Sequence, residues 1–181
     1  VRINKQSEKQ LPWNISNFST SFAFNRFYSY DIDYAKNYNH QYKAAFNYMY
    51  NLRPKNYTPF KSSSNAFIKD INFFLLPTTV SFKNEWDRTY KEQQRRNLSA
   101  YGNLPVTASK KFLWLRTYDL NYALSKNLKF TYSALNQSRI NEPYGVIDKS
   151  NEDVWQEYRR EVYRNMETYG ENMSFSQKTT L

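Results

Sequence analysis

Strand-length stretches of this chain carry an apolar or aromatic side chain at every second residue and a polar one between. Phe18, Phe22 and Phe24 alternate in this way with polar residues such as Ser19 and Ser21. The same two-residue period recurs in residues 42–50, 80–90, 112–124 and 128–134. Because successive side chains of a β-strand point to opposite faces, the pattern predicts a mainly β protein with one apolar and one polar sheet face.

The aromatic content indicates which kinds of β-sheet protein this chain could form. Aromatic residues make up 19% of the chain, Tyr alone numbers 17, and only 3 residues are Gly. A β-sandwich normally fills its core with Val, Ile and Leu and turns its hairpins with Gly. A tyrosine ring suits a place where one end is apolar and the other wet, as in the girdles of a membrane barrel or on an aromatic binding face. Composition alone does not decide between a membrane barrel and a soluble sheet with an aromatic binding face.

Several protein classes are excluded by simple features. The longest apolar run is residues 73–76, whereas a membrane-spanning helix needs about 20 residues and a barrel strand only about 9 to 11. Disulfides, thiol nucleophiles and thiolate metal sites are ruled out because the chain has 0 Cys. Since the sequence starts at Val1 with no signal-like segment, we expect an internal piece of a longer protein.

The net charge of +10 is spread along the chain. Lys and Arg stand mostly singly, on the polar positions of strands and in loops, rather than along one helix. This distribution is typical of solvated loops and of a lumen, and we expect no nucleic-acid partner.

Turn chemistry and periodicity predict about six antiparallel strands. The strands are expected at residues 14–32, 40–52, 78–94, 111–124, 127–137 and 173–181. Turns are expected at 33–39 and 125–126, and loops at 53–65 and 98–109, while 67–76 is either a short strand or a helical turn. Short turns at one rim and long loops at the other, as in single-chain barrels, are also expected.

Residues 150–169 break the two-residue period and predict an amphipathic helix. Val154, Tyr158, Val162 and Met166 fall four apart, Ser150 with Asp153 offers a capping box, and Gly170 supplies a left-handed stop. Two interpretations stay open, namely a cap at the mouth of a barrel and a helix whose apolar stripe packs on its own chain.

Catalytic chemistry is not expected. His40 is the only histidine and is predicted to lie at a solvated turn. Glu85 and Asp87 share a strand face, as an acid and base pair would, but the nearby Lys83 and Arg88 favour ordinary charge pairing. The three glycines are isolated, so no phosphate-binding loop is predicted. We therefore expect no enzyme, no cofactor, and no catalytic or metal-binding residues.

Five separated phrases resemble one family. They are LPWNIS (11–16), LLPTTVSF (75–82), RTYKEQQRRN (88–97), FLWLRTY (112–118) and RINEP (139–143). Together they resemble the SprA/Sov family, the giant outer-membrane translocons of the type IX secretion system of Bacteroidetes, which some species also need for gliding motility. The resemblance spans nearly the whole chain and departs from the family pattern chiefly at residues 148–169.

The resemblance implies that residues 1–181 belong to a single large transmembrane β-barrel, with 150–169 as a helical loop insert. The barrel would pass folded proteins across the bacterial outer membrane and carry no catalytic residues. Implied partners are the remaining strands of the barrel, outer-membrane lipid, secreted cargo proteins, a PorV-like shuttle barrel and plug-type accessory proteins. The alternating pattern then predicts these lipid-facing residues: Phe18, Phe22, Phe24, Phe46, Tyr48, Val80, Phe82, Trp114, Leu120 and Phe130.

Two competing interpretations remain at this point. One is a different outer-membrane barrel, such as a nutrient transporter. The other is a soluble aromatic-rich β domain that stacks glycans or single-stranded nucleic acid on rings such as Trp86 and Tyr90.

Overall fold

The computed structural model describes residues 11–62, 64–97, 99 and 104–181. Within these residues the chain is mainly β with one long helix. After a 3-10 turn at Ile15–Asn17, the elements are β1 (Phe18–Ser29), β2 (Tyr34–Asn51), β3 (Asn56–Tyr57), α1 (Ala66–Lys69), β4 (Phe73–Phe74), β5 (Thr79–Arg95), β6 (Thr107–Ala123), β7 (Lys129–Arg139), α2 (Glu152–Glu167) and β8 (Glu171–Thr180).

Six of the strands form one antiparallel sheet in the order β1-β2-β5-β6-β7-β8, and β3 pairs with β4 in a separate ribbon. Each strand of the large sheet lies beside its neighbour in the chain, apart from the small β3–β4 insertion. The sheet is open, with β1 and β8 at its outer edges. The predicted antiparallel sheet of about six strands is confirmed.

The first hairpin turns earlier than the sequence suggests. The carboxylate of Asp31 accepts hydrogen bonds from the backbone N–H groups of Asp33 (2.9 Å) and Tyr34 (2.7 Å). This short side-chain-capped turn lets β2 begin at Tyr34 rather than at residue 40. The prediction that His40 lies at a turn is therefore wrong, because His40 pairs with Arg26 in the middle of the hairpin.

The connections divide between two rims of the sheet. Among the described residues, the helix rim, as we name it, carries 30–33, 96–97, 99, 104–106 and 140–170, and the opposite rim carries 52–62, 64–78 and 124–128. Each rim thus has one short turn and at least one long connection, so the expected separation of short turns from long loops is wrong. The ambiguous segment 67–76 contains both a helical turn and a short strand. Gly102, placed in a predicted loop, lies outside the described residues.

Little of this chain is buried. The accessible surface is 14002 Å², whereas a folded monomer of 21.9 kDa exposes about 9,300 Å². Among the described residues the buried hydrophobic side chains are Tyr90, Phe112, Ala134 and Ile140. The described residues therefore form no second layer that covers a whole face of the sheet.

A bulge interrupts the last pair of strands. The register between β7 and β8 shifts between Gln137 and Ser138, so Phe175 stands opposite Asn136 and Asn172 opposite Ser138. Because one extra residue enters β8, its odd-numbered residues from Phe175 onward share a face with the even-numbered residues of β7.

Candidate functional surface

The strand register gives the large sheet two chemically different faces. Residues directly opposite each other in an antiparallel ladder lie on the same face. Phe18 pairs with Tyr48, Tyr48 with Phe82, and Phe82 with Tyr118, so these rings form one row across four strands. We name the face formed by the even-numbered residues of β1, β2, β5, β6 and β7 the aromatic face, and the other the polar face.

All ten residues predicted to face lipid lie on the aromatic face, because each has an even number in one of these in-register strands. They are Phe18, Phe22, Phe24, Phe46, Tyr48, Val80, Phe82, Trp114, Leu120 and Phe130. The outermost are the most open, with Phe22 70% exposed. Lipid contact itself stays a prediction.

Cross-strand ring contacts hold the aromatic face together. Ring centroids lie 5.0 Å apart for Phe18 and Tyr48, 5.0 Å for Phe82 and Tyr118, and 4.9 Å for Phe24 and Tyr42. Each such pair contributes about 0.2–1 kcal/mol to the sheet.

The polar face carries charged and amide side chains. Lys83 and Glu85 form an ion pair of 2.8 Å, as the sequence suggested. Asp87, however, contacts Lys43 (3.6 Å) and Gln41 (3.1 Å) of β2 rather than Arg88. The expected Arg88 partner is wrong because adjacent residues of a strand point to opposite faces.

Arg88 instead anchors the connection after β7 to the aromatic face. Its guanidinium binds both carboxylate oxygens of Glu142, at 2.7 and 2.8 Å, and donates a further bond of 2.8 Å to the hydroxyl of Tyr158 on α2. Tyr158 in turn donates to Glu142. The Arg88 side chain is 24% exposed and that of Glu142 only 2%. We name Arg88, Glu142 and Tyr158 the latch.

Further contacts surround the latch. Lys110 lies 4.9 Å from the ring centroid of Tyr158 and donates to the carbonyl of Pro143 at 2.6 Å. The backbone N–H of Ile147 donates to the hydroxyl of Tyr90 at 3.3 Å. Burial, together with the bond to Glu142, raises the pKa of Tyr158 well above its usual value. In the same connection, bonds from Ser150 lower the pKa of Asp148.

A second contact lies where the chain returns to β8. The ring of Tyr169 packs 5.7 Å from that of Trp114, and the guanidinium of Arg116 lies about equally close to both rings, at 4.9 and 5.0 Å. The indole N–H of Trp114 donates to Asn84 at 3.0 Å. One side of Trp114 is thus covered by this chain's own helix connection, whereas no described residue outside the sheet covers most of the β1–β2 hairpin on this face.

The helix is confirmed, with two corrections to its details. Its N-cap is Asn151, whose side chain accepts from the N–H groups of Asp153 and Val154, rather than Ser150. Val154 is 49% exposed, and Trp155 takes its place on the inner side together with Tyr158, Val162 and Met166. The left-handed stop at Gly170 is confirmed by its φ of 68°.

His40 lies within the aromatic face. Its ring is 4.0 Å from that of Tyr38 and 5.4 Å from that of Phe24, and its Nδ1 is 3.1 Å from the hydroxyl of Tyr38. The rings suggested for ligand stacking do not form an open patch, because Tyr90 is only 6% exposed and its hydroxyl donates to Glu92 at 2.9 Å.

Sequence reasoning missed the latch. One signal was present, since Arg88 and Arg116 interrupt runs of apolar even-numbered positions on β5 and β6. A charged residue on the apolar face of a strand requires a partner or water. The partner itself lies 54 residues away from Arg88, and no local pattern indicates it.

No helix in the described part of the chain is long and apolar enough to cross a membrane. Across the same residues, no group of three or more His, Cys, Asp and Glu side chains is placed to hold a metal ion. Comparison with known protein families gives no match, and comparison with curated proteins gives none either.

Proposed function

We propose that this chain forms part of the wall of a large outer-membrane β-barrel that conducts folded proteins, as the type IX translocons of the SprA/Sov family do. The observation that carries the proposal is the open sheet, whose aromatic face the described residues leave largely uncovered. An uncovered apolar face of this size requires another apolar phase or partner. The acyl chains of a membrane supply such an apolar phase, and the aromatic face would then form part of the barrel's outer surface.

The strand lengths agree with a membrane crossing. β2 and β5 have 18 and 17 residues, which corresponds to about 60 Å at 3.4 Å per residue. The hydrocarbon core is about 30 Å thick, so these strands would extend beyond it even when tilted. On β5 the excess falls at the helix rim, where Arg88, Glu92 and Gln94 take the aromatic-face positions that Val80, Phe82 and Trp86 hold in its first half.

The open edges support a larger sheet. β1 and β8 present unpaired backbone groups, which an apolar membrane does not tolerate. Further strands of the same barrel would satisfy them. The polar face would line a water-filled passage in which Asn, Ser, Lys and Glu side chains meet the cargo.

Single cysteines test the orientation, since this chain has 0 Cys of its own. In the intact protein in a bilayer, a fluorescent label at Phe22→Cys or Phe82→Cys should be quenched by lipid-embedded quenchers. Labels at the neighbouring Ser21→Cys or Lys83→Cys should be quenched by aqueous iodide instead. Equal quenching of both sets, or the reverse order, would contradict the proposal.

Photocrosslinking tests the transport function. A crosslinking amino acid at Ser81 on the polar face should trap secreted proteins in living cells, including a cargo fused to a stably folded domain. The same residue at Phe82 should trap none. If no cargo is trapped at Ser81 while lipid quenching behaves as expected, the chain belongs to a barrel with another function.

A further inference from the structure

The uncovered β1–β2 hairpin changes character along its aromatic face. From the opposite rim, β1 presents Phe18, Thr20, Phe22 and Phe24 in turn. The next residue on this face is Arg26, followed by Tyr28. The apolar run therefore ends at Arg26, about 27 Å from Phe18 at 3.4 Å per residue.

Aromatic side chains surround Arg26. Its guanidinium carbon lies 5.5 Å from the ring centroid of Tyr38, and the Tyr38 ring lies 4.0 Å from His40 and 6.4 Å from Tyr28. We name these residues with Phe24 the Arg26 cluster. The Tyr38 ring thus positions the guanidinium at the boundary between the apolar run and the polar helix rim.

The cluster holds positive charge without a carboxylate partner. None of the ion pairs among the described residues includes Arg26. The nearby carboxylate of Glu92 is already bound by Lys36 and Tyr90. Beside Arg26, the Nε2 atom of His40 is buried and has no hydrogen-bond partner within the described part of the chain. The exposed guanidinium of Arg26 is thus the group left to interact with an incoming oxygen ligand.

From this geometry we propose that the Arg26 cluster binds the phosphate of a lipid headgroup whose acyl chains lie along Phe18, Phe22 and Phe24. The inference rests on the proposed function, because it requires the aromatic face to contact lipid. A guanidinium matches phosphate oxygens with parallel donors. Tyrosine rings at the headgroup level complete the environment, with the ring against the acyl chains and the hydroxyl in water.

The test uses the intact protein in nanodiscs with two photoactivatable lipids. One is a phosphatidylglycerol with a diazirine near its headgroup, and the other is an uncharged glycosyl diacylglycerol with the same diazirine. Labelling of peptides from β1 and β2 is measured by mass spectrometry. Since a cation near a membrane surface contributes about 1 kcal/mol, phosphatidylglycerol should label the hairpin about fivefold more than the uncharged lipid.

Variants assign the effect to Arg26. Arg26→Gln should lower the labelling of the hairpin by phosphatidylglycerol to the level seen with the uncharged lipid. Arg26→Lys should retain most of the preference for phosphatidylglycerol. The matched control is Lys91→Gln, which removes one positive charge from an exposed residue on the polar face and should leave the preference unchanged. An equal loss in Lys91→Gln, or none in Arg26→Gln, would overturn the proposal.

The uncharged lipid separates the two levels of inference. If neither lipid labels the hairpin, the orientation in the proposed function fails. If both lipids label it equally, the orientation stands and the phosphate site fails. Complete displacement of the preference by millimolar inorganic phosphate would assign the cluster to free phosphate and also overturn the lipid site.

Discussion

Replacing Glu142 with glutamine removes one charge of the latch and leaves the Arg88 guanidinium beneath α2 without its counterion. The carboxylate side chain is only 2% exposed and accepts two bonds from Arg88 and one from Tyr158. Breaking a buried ion pair from one side costs about 3–5 kcal/mol. Because α2 contributes no fully buried residue of its own, we expect most of this loss to appear as undocking of the helix.

Hydrogen exchange of peptides from residues 150–170 measures this undocking in the intact protein. A loss of about 3 kcal/mol corresponds to exchange more than a hundredfold faster, since 1.4 kcal/mol is a factor of ten. Glu85→Gln is the matched control, because it makes the same substitution in the exposed Lys83–Glu85 pair of the polar face. Exposed pairs contribute about 0–1 kcal/mol, so α2 should exchange at its original rate there.

A double-mutant cycle completes the test. The double variant Arg88→Met, Glu142→Met should lose clearly less stability than the sum of the two single variants. Each single variant leaves one buried charge without its partner, whereas the double variant removes both charges. If Glu142→Gln changes the exchange of α2 by less than about twofold, or if the two substitutions are additive, other contacts hold the helix and the reasoning about the latch is refuted.

Four further outcomes are expected. Asn151→Ala should cost about 1 kcal/mol of helix stability and speed exchange at the first turn of α2, whereas Ser150→Ala should leave that exchange unchanged. Gly170→Ala should lower the thermal midpoint more than Gly145→Ala, because both have positive φ but only at Gly170 would a Cβ lie 2.6 Å from a backbone oxygen, that of Arg139; equal effects would contradict this steric reason. Phe22→Lys should cost about 2–4 kcal/mol of folding free energy in a bilayer and Ser21→Lys far less, as measured by denaturant titration. Since docking raises the pKa of Tyr158 above its ordinary 10.0, the docked helix is fully favoured below pH 10 and loses stability as pH rises above it; exchange of α2 followed against pH should show this loss, and Tyr158→Phe should abolish that part of the pH dependence.

The period-two pattern predicted the sheet well because it depends only on backbone geometry and on which face is apolar. β5 begins and ends within one residue of its expected bounds, and all ten predicted aromatic-face residues share one face. β2 was predicted to start at residue 40 rather than at Tyr34, because Asn37 and Asn39 suggest a turn by composition, yet they lie on the polar face of β2.

The packing of α2 and the connection after β7 on the aromatic face was not predictable from the local sequence pattern. The apolar spacing of α2 indicated a helix but not the surface beneath it, and the contacts that position it are polar and distant in sequence. The environment of Arg26 was not predictable either, because it depends on the Tyr38 ring of the next strand. Such details depend on strand register, which alternation alone does not determine.

The extra residue in β8 changes which residue numbers face which side of the sheet. Before Met173 the even-numbered Asn172 lies on the aromatic face, and after it the odd-numbered Phe175 does. One residue gained or lost within a strand would therefore move every later side chain of that strand to the opposite face of the sheet. A change of length in a connection would leave the two faces of the sheet as they are. Natural variation in length should accordingly concentrate at the rims.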